Sequence, residues 1–172
     1  MQQTPVSGKP GACRWRKFIL GCLLLALGQL STDLLSQPAP ATPAAPEPAL
    51  SLNASDAQLR WGPCPAFLPK GCAIAVLHGD PAKDNVDVFL KVPGKSALPL
   101  HWHSSAERMV LVAGELHITY DGQKQAVLKP ETYAYGPAKP AHKGVCTSAA
   151  ACVLFIAFEP PLDAVPVEDK SK

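Results

Sequence analysis

The chain has 172 residues, 47% of them hydrophobic and 17% charged, with a formal net charge of +2. Four of the sixteen Lys and Arg but none of the fourteen Asp and Glu fall within residues 1–28, so the remainder carries twelve basic against fourteen acidic side chains, a net −2. That balance, with no basic patch or Arg-rich stripe, excludes a nucleic-acid partner, and about 110 residues of patterned chain suffice for one core but not two.

Lys9, Arg14, Arg16 and Lys17 precede an apolar run from Phe18 to Leu30 that is broken only by Gly21, Gly28 and Gln29. The run is short of the ~20 residues a membrane-spanning helix requires. A basic start, a short apolar stretch and small residues at Ala26 and Gly28 read as a secretory signal over residues 1–28, cut after Gly28. The alternative is an uncleaved anchor, and the leader is then the chain's single contact with a membrane. Residues 29–58 read as a linker: from Gln37 to Leu50, ten of fourteen residues are Pro or Ala, which favours an extended tether.

Of six cysteines, four remain beyond the leader: Cys64, Cys72, Cys146 and Cys152. An even set in an exported protein reads as disulfides, with three pairings open. Cys64–Cys72 and Cys146–Cys152 are favoured because each closes a short loop flanked by strand, at roughly 2–3 kcal/mol each in the chain-entropy model.

From Leu59 the chain reads as short strands separated by Gly, Pro and Asp. The expected strands are Ala73–His78, Val86–Val92, Leu98–His103, Arg108–Ala113, Leu116–Tyr120, Gln125–Leu128, Thr132–Tyr135, His142–Cys146 and Cys152–Glu159. Turn signals separate them, and Asp121-Gly122 between two alternating runs marks a hairpin. With no helical period outside the leader and no internal repeat, the pattern predicts one all-β barrel domain over 59–160, followed by a tail at 161–172.

The chemistry concentrates in His101-Trp102-His103-Ser104-Ser105-Ala106-Glu107. On a strand, residues two apart share a face, so His101 and His103 point together. A tight Ser-Ser-Ala bend can bring the Glu107 carboxylate back toward them, and a strand-borne His142, after a Pro-containing turn, can add a fourth donor from across the barrel. Trp102 has the opposite parity and packs outside the site. Met109 and Leu111 share the parity of Glu107 and are candidate pocket wall. Tyr133 and Tyr135 share a face on the strand leading to His142 and are candidate pocket residues. His78 and His117 lie on other strands and are read as surface or core histidines.

These residues resemble the two motifs of the cupin family. His101, His103, Glu107 and Gly114 match the first motif at its spacings, while Gly94 precedes His101 by one residue too many. Pro137 and His142 match the second motif, in which Glu131, Lys139 and Cys146 stand where Gly, Gly and Asn are usual. The resemblance covers roughly Leu59 to Glu159. It implies a single jelly-roll barrel, a metal held by His101, His103, Glu107 and His142 inside the barrel mouth, and a homodimer. Lys139 in place of Gly suggests a turn that avoids positive φ, and Cys146 in place of Asn suggests a disulfide bracing that site.

Three imidazoles and a carboxylate suit one divalent transition metal, Fe, Mn, Ni, Cu or Zn, with affinity order alone unable to choose. The functional expectation is a secreted or periplasmic metal-dependent enzyme of oxidoreductase, dioxygenase-like type acting on a small molecule. The alternative is a non-catalytic periplasmic binder or sensor of a metal or small ligand. Beyond the ligands, the sequence singles out no general acid or base.

Overall fold

The computed structural model describes residues 46–168. The expected leader at 1–28 and the first part of the linker lie outside the described residues. Alternation of side chains builds the molecule. In the strand Glu107–Ala113, Glu107, Met109 and Leu111 are buried while Val110 and Val112 face the other way. Leu116, Ile118 and Tyr120 do the same in Leu116–Tyr120, and His142, Gly144 and Cys146 in His142–Cys146. A one-residue slip would turn each set to water, so the apolar pattern fixes the register.

Eleven strands result, and there is no helix among the described residues. They are β1 (Gly62–Pro63), β2 (Ala73–His78), β3 (Val86–Val92), β4 (Ala97–Trp102), β5 (Glu107–Ala113) and β6 (Leu116–Tyr120). The chain continues through β7 (Ala126–Leu128), β8 (Tyr133–Gly136), β9 (His142–Cys146), β10 (Cys152–Phe158) and β11 (Val165–Pro166). The nine expected strands are all present, their ends moved by at most one residue. Only the two-residue pairs β1 and β11 were not anticipated, and two residues carry no period to read.

The strands form two antiparallel sheets, ordered β1-β2-β3-β10-β5-β8 and β11-β4-β9-β6-β7. From β3 onward the chain changes sheet at every step except β6 to β7. This wrapping encloses a core of Val86, Val88, Leu111, Leu116, Leu154 and Phe158, among others, between the two sheets. The fold is the jelly-roll barrel of the sequence reading.

Both expected disulfides are formed, Cys64–Cys72 with Cα atoms 5.5 Å apart and Cys146–Cys152 at 5.8 Å. Cys146 ends β9 in one sheet and Cys152 begins β10 in the other, so this bridge staples the sheets together. Two such bonds fit an oxidising environment.

Candidate metal centre

Three strands deliver the site. His101 lies near the end of β4, His103 just beyond it, Glu107 opens β5 and His142 opens β9. In the sheet His101 stands opposite His142, and Tyr120 of β6 stands on the other side of His142. All four sequence candidates are buried, with Glu107 and His142 5% and 4% exposed. One donor atom each from His101, His103 and His142 lies within 4.8 Å of the others. Glu107 adjoins two of them: Oε1 is 3.4 Å from His103 Nε2 and Oε2 is 3.5 Å from His142 Nε2.

The surplus residue between Gly94 and His101 is absorbed by a bulge. Between Leu98 and His101 the β4 pairing slips, so Pro99 and Leu100 together stand opposite the single residue that separates Gly144 from His142. Pro99 and Leu100 both face solvent while Leu98 and His101 stay inside. A proline with no N–H to lend the ladder belongs at such a place. The bulge also positions the ligand, because the Pro99 carbonyl accepts from His101 Nδ1 at 2.7 Å.

His103 is held in the same way by the backbone carbonyl of Asp163. A carbonyl can only accept, so the Nδ1 atom of each ring carries the proton and Nε2 is left with its lone pair. His103 Nε2 and His142 Nδ1 are buried without a hydrogen-bond partner. Such orphans cost roughly 1–3 kcal/mol each. Converging lone pairs, outer partners that fix the ring orientation and a neighbouring carboxylate are the donor set a divalent transition metal uses. The residues fit the metal.

Burial dominates the electrostatics. It brings His142 down to about 3, with help from the neighbouring His101 and His103, and lowers His101 and His103 as well. It pushes Glu107 up to about 7, against the Tyr120 hydroxyl, which donates to Oε2 at 3.4 Å. Tyr120 is itself raised far above the usual phenol range by burial and by the Glu107 charge. The pair depends on Gly136: a Cβ there would overlap the Tyr120 hydroxyl and stand 3.1 Å from Glu107 Oε2. Tyr120 was missed in the sequence, although it shares the inward parity of Leu116 and Ile118.

The site opens onto a cavity of about 150 Å³. Met109 lines it as anticipated. Leu111 is instead fully buried in the core and does not line the cavity. The pocket role of Tyr133 and Tyr135 is corrected: they are 60% and 56% exposed. β8 pairs with β5 so that Ala134 meets the inward Met109, which sends both tyrosines outward. The Lys139 turn is also corrected, since Lys139 has φ +82° and Glu131 +72°. The glycine-type geometry survives without glycine, at about 1–2 kcal/mol per residue. At Lys139 it is offset by an amide hydrogen bond to the His103 carbonyl at 2.9 Å. The Lys139 ammonium lies over the outward Trp102 ring. His117 and His78 sit away from the centre, 2.9 Å from Glu115 and Glu47 respectively.

The segment from residue 161, read as a tail, carries Leu162, Asp163 and Ala164 to the cavity wall. The Asp163 carboxylate accepts from the Ser104 amide at 2.8 Å, and β11 pairs with β4 beside His101. No apolar period announces this strap, which is held by the two bonds to Asp163, by the short β11 pairing and by the Leu162 amide on the Pro81 carbonyl.

A family model described as "Domain of unknown function (DUF4437)" matches residues 42–163. A comparison with curated protein sequences found no match. Among solved structures, the chain resembles the DMSP lyase DddQ from Ruegeria pomeroyi DSS-3, with TM-score 0.56 and 17% identity over 66% of this chain. The chain spans under two thirds of that lyase, 64% of its length. The polyketide cyclase RemF from Streptomyces resistomycificus aligns with TM-score 0.57 and 15% identity, over 71% of this chain and 89% of RemF. An RmlC-like cupin from Shewanella frigidimarina NCIMB 400 aligns with TM-score 0.51 and 20% identity, over 62% and 87% of the two chains. At these identities the likeness is one of fold, and the fold is the cupin barrel.

Proposed function

The chain belongs to the cupin-like DUF4437 family, and from that premise we propose that it is an exported, metal-dependent enzyme of oxidoreductase, dioxygenase-like type acting on a small organic molecule. The observation that carries the reading is the convergence of His101, His103 and His142 within 4.8 Å at the wall of a cavity. These three residues would hold the metal, with Glu107 as the fourth donor. When bound, the metal supplies a Lewis acid and, in the case of iron, manganese or copper, redox chemistry.

The chain's own residues do the rest. Pro99 and Asp163 orient two imidazoles through their carbonyls. Glu107, raised to about 7 before a metal arrives, gives up its proton when its carboxylate becomes a donor, and Tyr120 donates to its Oε2. The apolar wall excludes bulk water, which strengthens every charge interaction inside. Export rests on the leader pattern and the two disulfides. The homodimer that the cupin resemblance implies is proposed to form through the outer face bearing Tyr133 and Tyr135.

One observation favours the alternative of a non-catalytic periplasmic binder or sensor. Apart from the four candidate ligands and Asp163, no polar side chain among the described residues lines the cavity, so few groups are available there to move protons on a substrate. The deciding experiment is elemental analysis of protein recovered from its native compartment, followed by O₂ uptake and product analysis with phenolic and keto-acid substrates. Stoichiometric metal with turnover is expected. Metal without turnover across the panel would leave the binder, and no divalent metal would end the enzyme and the metal binder alike.

A further inference from the structure

The cavity wall is chemically one-sided. Val88, Leu90, Met109, Ile118, Leu154 and Ile156 are typical of it, and the remaining lining away from the histidines is also apolar. Among the described residues, every polar side chain in the lining belongs to His101, His103, Glu107, His142 or Asp163. No Lys or Arg among the described residues lines the cavity, and neither does any Ser, Thr, Asn or Gln. Asp163 cannot serve as a cationic partner, and its carboxylate is already engaged by the Ser104 amide.

We propose that the ligand of this site is a small, mainly apolar molecule with a single oxygen-donor head, neutral or singly negative, and no second charged group. The inference rests on the metal reading above, because the head is placed on the metal. Charge counting limits the head. A divalent cation beside the Glu107 carboxylate leaves one net positive charge, which one anionic oxygen group neutralises. A second anionic group would enter a wall with no cation and no free side-chain hydrogen-bond donor among the described residues to receive it, and an unpaired buried charge is strongly disfavoured. Size limits the body. A cavity of about 150 Å³ matches the engineered aliphatic cavity of about that volume known to accept benzene. The ligand body is therefore of the order of one six-membered ring. Part of the wall comes from the loop closed by Cys64–Cys72, through Pro65 and Leu68, and part from the strap carrying Leu162. These contacts select for shape rather than for charge.

The test uses full-length protein loaded with Co²⁺, whose visible bands report coordination, with benzoate and terephthalate as probes. They share a ring and differ by one carboxylate. Benzoate is expected to shift the cobalt bands and to bind at least about tenfold tighter than terephthalate, the second carboxylate being the group left unpaired. Leu68→Arg, on a partly buried loop, adds a cation at the wall and is expected to erase most of that preference while cobalt content stays unchanged. Equal or tighter binding of terephthalate by the unaltered protein would overturn the inference, as would benzoate failing to bind cobalt-loaded protein. Toluene titrated into metal-free protein tests the apolar chamber separately. Uptake supports it, and no uptake overturns it. Toluene uptake by a protein that retains no cobalt would sink the metal reading and the head assignment, leaving only the chamber.

Discussion

Burial sets the protonation of the metal centre before any ion arrives. With Glu107 raised to about 7 and His142 lowered to about 3, the metal-free cluster sheds charge at neutral pH. A metal reverses this by demanding the carboxylate form. Protons released on metal binding at pH 7 and above therefore come chiefly from Glu107, because burial holds all three imidazoles below their ordinary range. Calorimetry of Zn²⁺ binding in buffers of different ionisation heat is expected to give about 0.5 proton per metal from Glu107 at pH 7, falling to about 0.1 at pH 8. Release near zero at pH 7, or of two to three protons there, would contradict this assignment. The stability sign follows from the same shift. A carboxyl raised in the folded state contributes stability that is complete below its unfolded value of 4.5 and is lost as pH rises through about 7. Glu107→Gln is thus expected to flatten that slope in metal-free protein, measured as Tm against pH, and to remove the proton release. The histidines are separable too. Loss of an outer partner of a metal ligand costs 10–100-fold in affinity, so His142→Ala should cost at least about 100-fold. His117→Ala, paired with Glu115 on the other face of β6, should cost almost nothing. Equal losses would mean that the wrong histidine has been chosen.

At the scale of elements, the strands were legible because burial alternates with period two, and the His-x-His pair because the same period puts both rings on one face. What stayed hidden has local causes. The bulge at Pro99–Leu100 is one extra residue that no periodicity announces, although the long interval from Gly94 to His101 is its trace. Tyr133 and Tyr135 were misread because pairing decides which parity faces inward, and only the Ala134–Met109 register shows it. Lys139 was misread because a hydrogen bond to the His103 carbonyl stabilises a backbone conformation that composition alone argues against. The staple from β9 to β10 carries its own prediction. Cys146 and Cys152 are both fully buried, and His142 lies four residues along β9 from Cys146, roughly 13 Å in a strand. Replacing both cysteines with Ala should cost about 2–3 kcal/mol, a Tm loss of roughly 10 °C, while metal content holds. A metal loss as large as that of His142→Ala would show that the brace also shapes the site.

For the whole molecule, the question is what covers the outer face of the six-stranded sheet. The registers place Ala75, Phe89, Phe155, Val110 and Tyr133 side by side in one row across five strands. All five have the parity opposite to the core, since Val88, Ile156, Met109 and Ala134 face inward. At one end the row is covered: Ala75 and Phe89 are 0% and 6% exposed, and Phe89 meets the Phe155 ring edge-on. At the other end it is open, with Tyr133, Tyr135 and Val112 exposed on and beside β8, the last strand of the sheet. An apolar row that ends in the solvent-facing Tyr133, with Tyr135 beside it opposite Arg108, has the aromatic enrichment of an interface core. A two-fold axis beside such an edge would lay each copy's tyrosines on the other, which is the arrangement a symmetric dimer requires. The expected outcome is a dimer by light scattering at micromolar concentration. A Tyr133→Asp/Tyr135→Asp variant should be monomeric with unchanged metal content, because neither ring reaches the cavity. A monomeric unaltered protein, or a variant that still dimerises, would remove this face from the assembly and leave the open end of the row unexplained.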